Sequence, residues 1–137
     1  MKKILLLLLA VVAVSSCSLD NQGPQYYYEV LPVESFEVPE SFVLGEIYEI
    51  KVTYLRPTGC HIANGFYYEK DLNTRIIGIQ STVLDSDDCT PLVNQEPIEA
   101  SFNFEVLSNG SYIFKFYKGE DTAGNNIFEE VEIPVTN

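Results

Sequence analysis

The sequence is poor in the residues that usually build catalytic and metal centres. It contains one histidine, three cysteines and no tryptophan in 137 residues. A catalytic nucleophile needs an adjacent base, and a zinc site needs about four ligands, mostly nitrogen or sulfur, so this composition leaves few ways to build either. We therefore expect a protein that is not an enzyme and that uses no cofactor.

Basic residues are also scarce. Eight lysines and arginines stand against 20 aspartates and glutamates, which gives a formal net charge of −12. Proteins bind nucleic acids through a basic face, so this balance excludes nucleic acid as a partner. Hydrophobic residues nevertheless make up 46% of the chain, which is enough for a folded core and too many for a disordered acidic tail.

The first residues lack an apolar run long enough to span a membrane. The stretch Ile4–Val14 has 11 apolar residues, whereas a transmembrane helix needs roughly 20. Lys2 and Lys3 precede this stretch, and small residues follow it. A charged start, a short apolar segment and a small-residue end are typical of an export signal, which we place at residues 1–16.

The segment Val14-Ser15-Ser16-Cys17 resembles the lipobox of bacterial lipoproteins, in which an aliphatic residue and two small residues precede the lipidated cysteine. The resemblance implies that Cys17 becomes the mature N-terminus and carries a diacylglycerol and an amide-linked acyl chain. Several acyl chains anchor a protein stably where one binds only marginally. Ser18 resembles the residue that sorts such proteins to the outer membrane, where the domain would face the periplasm or the cell surface.

Residues 17–25 are expected to form the lipidated cysteine and a short tether. Eight extended residues reach at most about 26 Å, so the folded part should stay near its membrane. Lys2 and Lys3 leave with the signal, so the mature chain carries six basic against 20 acidic residues, a net charge of −14. Anionic headgroups repel so acidic a body, and attachment should therefore depend on the lipid.

Alternation of apolar and polar residues dominates the rest of the chain and predicts strands. The alternating stretches are Glu46–Leu55, Arg75–Val83, Ile98–Val106, Tyr112–Phe116 and Ile127–Val135, with shorter candidates at Tyr26–Leu31, Ser35–Val38 and Phe66–Glu69. Seven or eight short antiparallel strands, separated by turn-forming residues, are typical of an all-β sandwich. We predict one such domain over residues 26–137.

The C-terminal part of this region resembles bacterial immunoglobulin-like domains. Ser108–Tyr112 and the aromatic residues after it are similar to the turn and the entry into their penultimate strand. Asp121–Asn125 is similar to the acidic loop before their last strand. The resemblance covers roughly residues 98–135 and implies an immunoglobulin-like β-sandwich. It implies little about function, because such sandwiches host many unrelated activities.

Cys60 and Cys89 remain once Cys17 is assigned to lipid. Paired cysteines of an exported protein meet an oxidising compartment and are usually joined there. We expect a Cys60–Cys89 disulfide, which would stabilise the fold by roughly 3–4 kcal/mol through the entropy of the unfolded chain.

His61 follows Cys60, and a histidine beside a cysteine can indicate a metal ligand or a nucleophile–base pair. Adjacent residues on an extended segment point to opposite faces. The disulfide would also remove the thiol that such catalysis needs. We therefore interpret His61 as structural, although its loop belongs to the candidate binding surface.

Two acidic clusters have oxygen ligands of the kind that calcium prefers. Asp85, Asp87 and Asp88 form the first, and Asp121 with Asn125 belongs to the second. Neither has the spacing of an EF-hand loop, and solvated turns account for both, so no metal site is assigned. Thr122 follows Asp121 in a pattern that resembles the O-glycosylation motif of some bacterial surface proteins.

A second resemblance offers an alternative function. Gly45–Val52, followed by Arg56-Pro57-Thr58-Gly59, looks like the strand and first inhibitory loop of chagasin-like inhibitors of papain-type cysteine proteases. That family carries Asn-Pro-Thr-Thr-Gly and then an aromatic residue. Here Arg56 replaces the asparagine, one threonine is missing and Cys60 replaces the aromatic residue. The resemblance implies inhibition through Arg56–Gly59.

The sequence thus predicts a monomeric, lipid-anchored envelope protein whose module binds a protein or a glycan. Sandwiches present binding residues on loops that rigid strands hold in place. We expect recognition in the loops Arg56–Asn64, Asp85–Pro97 and Lys118–Asn126. The candidate binding residues in the first and third of these loops are Arg56, Pro57, Thr58, Gly59, His61, Asp121 and Asn125.

Overall fold

The structure, a computed structural model, describes residues 23–137, and these residues form ten β-strands and no helix. The strands are β1 (Gln25–Leu31), β2 (Ser35–Glu37), β3 (Phe42–Val43), β4 (Ile47–Tyr54), β5 (His61–Asp71), β6 (Thr74–Asp85), β7 (Ile98–Glu105), β8 (Tyr112–Glu120), β9 (Asn126–Ile133) and β10 (Val135–Thr136). The predicted signal peptide, Cys17 and residues 18–22 of the tether lie outside the described residues.

The larger sheet has five strands arranged around β6, the longest strand. One edge of β6 pairs with β5 in an antiparallel hairpin. The other edge is shared by two strands. Residues 79–85 pair antiparallel with β1, and residues 74–77 pair parallel with β8. β9 pairs antiparallel with the far side of β8.

The smaller sheet contains β2, β4 and β7, which pair in that order and antiparallel. In addition, β3 and β10 form a short parallel pair. The register between β4 and β7 places Ile50 opposite Phe102 and Val52 opposite Ala100. Alternate residues of a strand share a face, so this register turns one apolar row of each strand toward the larger sheet.

The core lies between the two sheets and contains the rows predicted from the alternation. Its buried side chains include Leu31, Val33, Phe42, Ile50, Val52, Ile77, Ile79, Phe104, Phe114, Phe116 and Ile133. Phe36 of the smaller sheet stacks on Phe116 of the larger one, with ring centroids 3.9 Å apart. The rows end at the rim of the core, where Ile98 and Ile127 are 37% and 44% exposed. The predicted all-β sandwich is confirmed.

The predicted extents of several elements were wrong. The loop Arg56–Asn64 ends early, because β5 already begins at His61 and is much longer than the predicted Phe66–Glu69. The loop Lys118–Asn126 shrinks to residues 121–125, because β8 and β9 extend into it. The described residues contain ten strands rather than seven or eight. The two additional strands, β3 and β10, have two residues each and are too short to be counted separately from alternation.

Two features bear on the immunoglobulin-like resemblance. At the start of β8, the hydroxyl of Tyr112 accepts hydrogen bonds from the backbone N–H groups of Leu107 (3.2 Å) and Ser108 (3.0 Å). This arrangement resembles the tyrosine corner of immunoglobulin-like sandwiches. The parallel pairing of β6 with β8 departs from the antiparallel sheets of those domains. The immunoglobulin-like assignment therefore stays a prediction.

Candidate functional site

The two segments that the disulfide joins hold each other in place. Cys60 and Cys89 are bonded, with their Cα atoms 5.5 Å apart, as the cysteine count predicts. The backbone N–H of Leu92 also donates to the carbonyl of Pro57 over 3.0 Å. The disulfide therefore tightens a loop region that already has its own backbone contacts.

Arg56 stabilises this loop region from within. Its backbone N–H donates to the side-chain oxygen of Gln95 (3.1 Å), and its carbonyl accepts from the amide of the same side chain (2.6 Å). Its Nη2 donates to the carbonyl of Gly59 over 3.1 Å. Arg56 and Thr58 are half-buried, whereas Pro57 and Gly59 are exposed. Two of the four residues in the predicted recognition segment Arg56–Gly59 thus face the solvent openly.

His61 is a buried link between strands. Its side chain is 2.8 Å from a carboxylate oxygen of Glu29 through Nε2 and 2.8 Å from the hydroxyl of Thr58 through Nδ1. Because β1 and β5 flank β6 on opposite sides, the contact with Glu29 reaches across β6. The neighbouring Cys60 is in the disulfide, so the arrangement offers no thiolate for His61 to activate.

Asp121 and Asn125 close the turn between β8 and β9. The carboxylate of Asp121 accepts the backbone N–H groups of Ala123 (2.8 Å) and Asn125 (2.9 Å) as well as the Asn125 side-chain amide. These hydrogen bonds, with those from Asn125 foremost, lower the pKa of Asp121. Gly124 takes a φ of +82° that few other residues adopt. The carboxylate oxygens of Asp121 thus accept hydrogen bonds from within its own turn.

The calcium candidates Asp85, Asp87 and Asp88 are exposed at and after the end of β6. Within residues 23–137, no three His, Cys, Asp or Glu side chains come together in a way that could hold a metal ion. The structure therefore does not gather these aspartates into a ligand set.

The outer face of the larger sheet carries a groove of about 660 Å³ that the sequence analysis did not predict. It is lined by Glu29, Val30, Pro32, Tyr67, Glu69, Ile76, Tyr117, Gly119, Glu120, Asn126 and Phe128, and we call it the acidic aromatic groove. The rings of Tyr117 and Phe128 lie 6.0 Å apart. Beside them, a Cβ atom on Gly78 would come within 2.5 Å of Val30 Cγ1, so glycine allows β1 and β6 to pack closely here.

The groove carries negative charge that nothing in its lining neutralises. Its charged residues are three glutamates, and no lysine or arginine belongs to the lining. The hydroxyl of Tyr67 donates to Glu69 over 2.6 Å, and this hydrogen bond is the main cause of the raised pKa of Tyr67. Burial raises the pKa of Tyr117, and the charges of Glu120 and Glu29 add to the effect. Each tyrosine therefore keeps its proton and remains a hydrogen-bond donor.

One feature of the sequence, a pair of adjacent tyrosines, is related to this groove. Tyr67 and Tyr68 are adjacent, so on a strand they must face opposite sides. Tyr67 lines the groove, whereas Tyr68 packs against Phe102 on the inner side, with ring centroids 5.9 Å apart. Glu69 shares β5 with Tyr67, but Val30, Tyr117 and Phe128 come from strands distant in sequence, and only the strand pairing brings them to this groove.

The N-terminal segment of the chain matches a known family. Residues 1–18 match the family described as the prokaryotic membrane lipoprotein lipid attachment site. The protein is a lipid-anchored envelope lipoprotein. The match includes the predicted lipobox and Cys17, which lie outside the described residues of this lipoprotein. No curated protein and no solved structure gives a significant match. In the described part of the chain, no helix has the length and apolar character to cross a membrane.

Proposed function

We propose that this lipoprotein is a non-enzymatic binding module that holds a basic segment of a partner protein in the acidic aromatic groove. The observation that carries the proposal is the composition of the groove, in which three aromatic rings and three glutamates meet without a basic residue. An ammonium or guanidinium group is the chemical group that both kinds of side chain attract.

The two attractions act together. The face of an aromatic ring attracts a cation by about 0.5–2 kcal/mol, depending on how far the pair is desolvated. Each carboxylate adds a Coulomb attraction that strengthens where water is partly excluded. A neutral glycan could stack on the rings and donate hydroxyl hydrogens to the carboxylates, but it would bring no positive charge to balance the three glutamates. The groove therefore favours a basic protein segment over a glycan.

The net charge of the whole molecule also favours a basic partner. A mature net charge of −14 creates a field that speeds the approach of basic proteins. The groove lies on paired strands rather than on a loop, so it is formed before the ligand arrives. We place the lipoprotein at the outer membrane because of Ser18. The short tether supports this role, since it would keep the groove close to partners at that membrane.

The test is a titration of the full lipoprotein in phosphatidylcholine nanodiscs with an Ala-Lys-Ala-Lys peptide. Acetylation of both lysines gives a matched ligand without side-chain charge. We expect the charged peptide to bind at least tenfold more tightly and its affinity to fall as salt rises, because salt screens exposed charges. Equal binding of the two peptides, or binding of a neutral oligosaccharide alone, would contradict the proposal.

Matched variants locate the site. Glu69→Gln and Glu120→Gln together remove two groove charges, and we expect affinity for the charged peptide to fall several-fold. Glu37→Gln and Glu40→Gln together remove two exposed charges outside the groove and serve as the control. An equal loss in the control and the groove variant would mean that net charge alone attracts the peptide.

Protease inhibition through Arg56–Gly59 stays a prediction. The predicted inhibitory segment Arg56–Gly59 directs its arginine inward, where the guanidinium donates to Gly59 of the same loop. No contact in this loop favours a protease as its partner.

A further inference from the structure

Arg75 is a buried cation on the inner face of the larger sheet. It is 6% exposed and lies two residues before Ile77 on β6, in the row that faces the core. In the sequence, Arg75 begins the alternating stretch whose other inward residues are apolar. A buried charge is costly unless a partner compensates it, so its contacts are informative.

The contacts of Arg75 satisfy part of its guanidinium and leave its charge without a counter-ion. Nη1 donates to the carbonyls of Leu72 and Thr74, both over 2.8 Å. The central carbon lies 5.0 Å from the ring centroid of Tyr112 and 5.9 Å from that of Phe104. None of the ion pairs within residues 23–137 involves Arg75. The rings attract the cation and the carbonyls accept charge-assisted hydrogen bonds, but none of these groups brings a negative charge.

The guanidinium belongs to the wall of a second cavity, which we call the inter-sheet cleft. This cleft has a volume of about 750 Å³ and lies between β5 and β7, each of which has only one paired neighbour in the described part of the chain. Its aromatic wall is formed by Phe66 and Tyr68, which pack edge-on against Phe102. Leu107, 73% exposed, adds apolar surface at the rim.

The charges of the cleft add up to a positive site. Besides Arg75, its charged lining residues are Lys70 and Glu105, which carry opposite signs and are both exposed. The buried arginine therefore sets the sign of the cleft. Burial raises the pKa of Tyr68, and the neighbouring guanidinium opposes this shift, which places the tyrosine hydroxyl in the same electrostatic environment as Arg75.

We propose that the inter-sheet cleft binds a small organic carboxylate, with its charged end at Arg75 and its apolar body against the aromatic wall. The backbone uses the two hydrogens of Nη1, and the Tyr68 hydroxyl lies beside the guanidinium. A carboxylate can pair with the remaining Nε and Nη2 side through two parallel hydrogen bonds. The cleft has the size of known small-molecule sites, which are mostly apolar with a few polar groups. This site is separate from the acidic aromatic groove and takes a ligand of opposite charge.

The experiment uses 4-phenylbutyrate as the probe and the full lipoprotein in phosphatidylcholine nanodiscs, with empty nanodiscs as the blank. Ligand-observed NMR compares it with 4-phenylbutyramide, which has nearly the same shape and no charge, and with 4-phenylbutylamine. We expect the carboxylate to bind at least tenfold more tightly than either. A phosphonate of similar length tests the other common oxyanion. Equal binding of carboxylate and amide, or tighter binding of the phosphonate, would overturn the proposal.

Two variants separate binding from folding. Arg75→Gln keeps a donor for the carbonyls and removes the charge, and it should abolish the preference for the carboxylate over the amide.

If the melting temperature of Arg75→Gln also falls, Leu107→Glu provides the independent measurement, because the Leu107 side chain is exposed. It places a repelling carboxylate at the rim and should weaken 4-phenylbutyrate binding at least tenfold. Val93→Glu, at a side chain that is 77% exposed in another loop, should leave binding unchanged. An unaltered affinity in Leu107→Glu would contradict the location of the site.

Discussion

Single acidic residues in this lipoprotein have different roles because their neighbours differ. The carboxylate of Glu29 contacts the buried His61, and that of Glu69 accepts the hydroxyl of Tyr67. Asp121 accepts N–H groups from its own turn. The sequence shows the same kind of side chain at each position, and only the contacts distinguish a strand link, a groove wall and a turn.

The turn role of Asp121 predicts a pH dependence. Its pKa in the folded protein lies below the ordinary value of 3.8, so the ionised form stabilises the fold. This contribution is fully present above the ordinary pKa and is lost as the pH falls through the lowered one. We expect Asp121→Ala to lower the melting temperature at neutral pH, and the difference from the wild type to shrink in acid. Carboxyl NMR titration measures the pKa directly.

The control for this turn is Asp87→Ala, which removes an exposed aspartate from another loop. It should leave the melting temperature near that of the wild type. A carboxyl titration midpoint of Asp121 at or above 3.8 would mean that the turn hydrogen bonds do not hold in solution.

At the scale of elements, β6 organises the larger sheet and the disulfide secures the loops beside it. β6 pairs with β5, β1 and β8, so one strand sets the register of both the outer groove and the inner row that contains Arg75. Cys60 precedes β5 and Cys89 follows β6. Their bond therefore joins the two open ends of the β5–β6 hairpin and should keep this pair in register.

Removal of the disulfide should destabilise the domain without changing its strand order. For a sequence separation of 29, the chain-entropy relation gives a loss of roughly 3–4 kcal/mol in the free energy of unfolding for Cys60→Ala with Cys89→Ala. Urea denaturation measures the loss. Reduced wild-type protein should unfold at nearly the same urea concentration as the double variant. Two alkylatable thiols in the native, unreduced mature protein would show that the bond is absent.

At the scale of the whole molecule, an N-terminal lipid anchor and a β-sandwich with two unlike cavities belong to one chain. The acidic aromatic groove lies on the outer face of the larger sheet, and the inter-sheet cleft opens between the edges of both sheets. Their opposite charges suit ligands of opposite sign. The sandwich therefore offers two surfaces that a single anchor would hold beside one membrane.

The anchor itself can be tested on Cys17. We expect Cys17→Ala to abolish labelling with radioactive palmitate and to move the protein from the detergent phase to the aqueous phase in Triton X-114 partition. Ser16→Ala is the control, because it keeps a small residue before the cysteine and should preserve the label. Retention of the Cys17→Ala protein in the detergent phase would require a second mode of attachment.

Much of the fold followed from local patterns. Alternation identified the buried rows of β4, β6 and β8, because a half-buried strand repeats every two residues. The same reasoning failed where elements are very short, as in β3, and where apolar and polar residues do not alternate along a strand, as at His61–Asn64. The candidate site was harder to predict. Arg56, His61 and Asp121 were singled out as chemically unusual, and each proved to hold its surroundings together through hydrogen bonds.

The sequence by itself determined the lipid attachment site, the all-β class and the cysteine pair, because each depends on residue types that are close in the chain or few in number. The tertiary structure alone decided where the cavities lie and which charges they carry. Tyr67, Tyr117 and Phe128 meet only through the register of different strands. Within residues 23–137 Arg75 has no ion-pair partner, because the groups nearest its guanidinium are rings and backbone carbonyls. Such long-range neighbours are set by packing, which no short stretch of sequence contains.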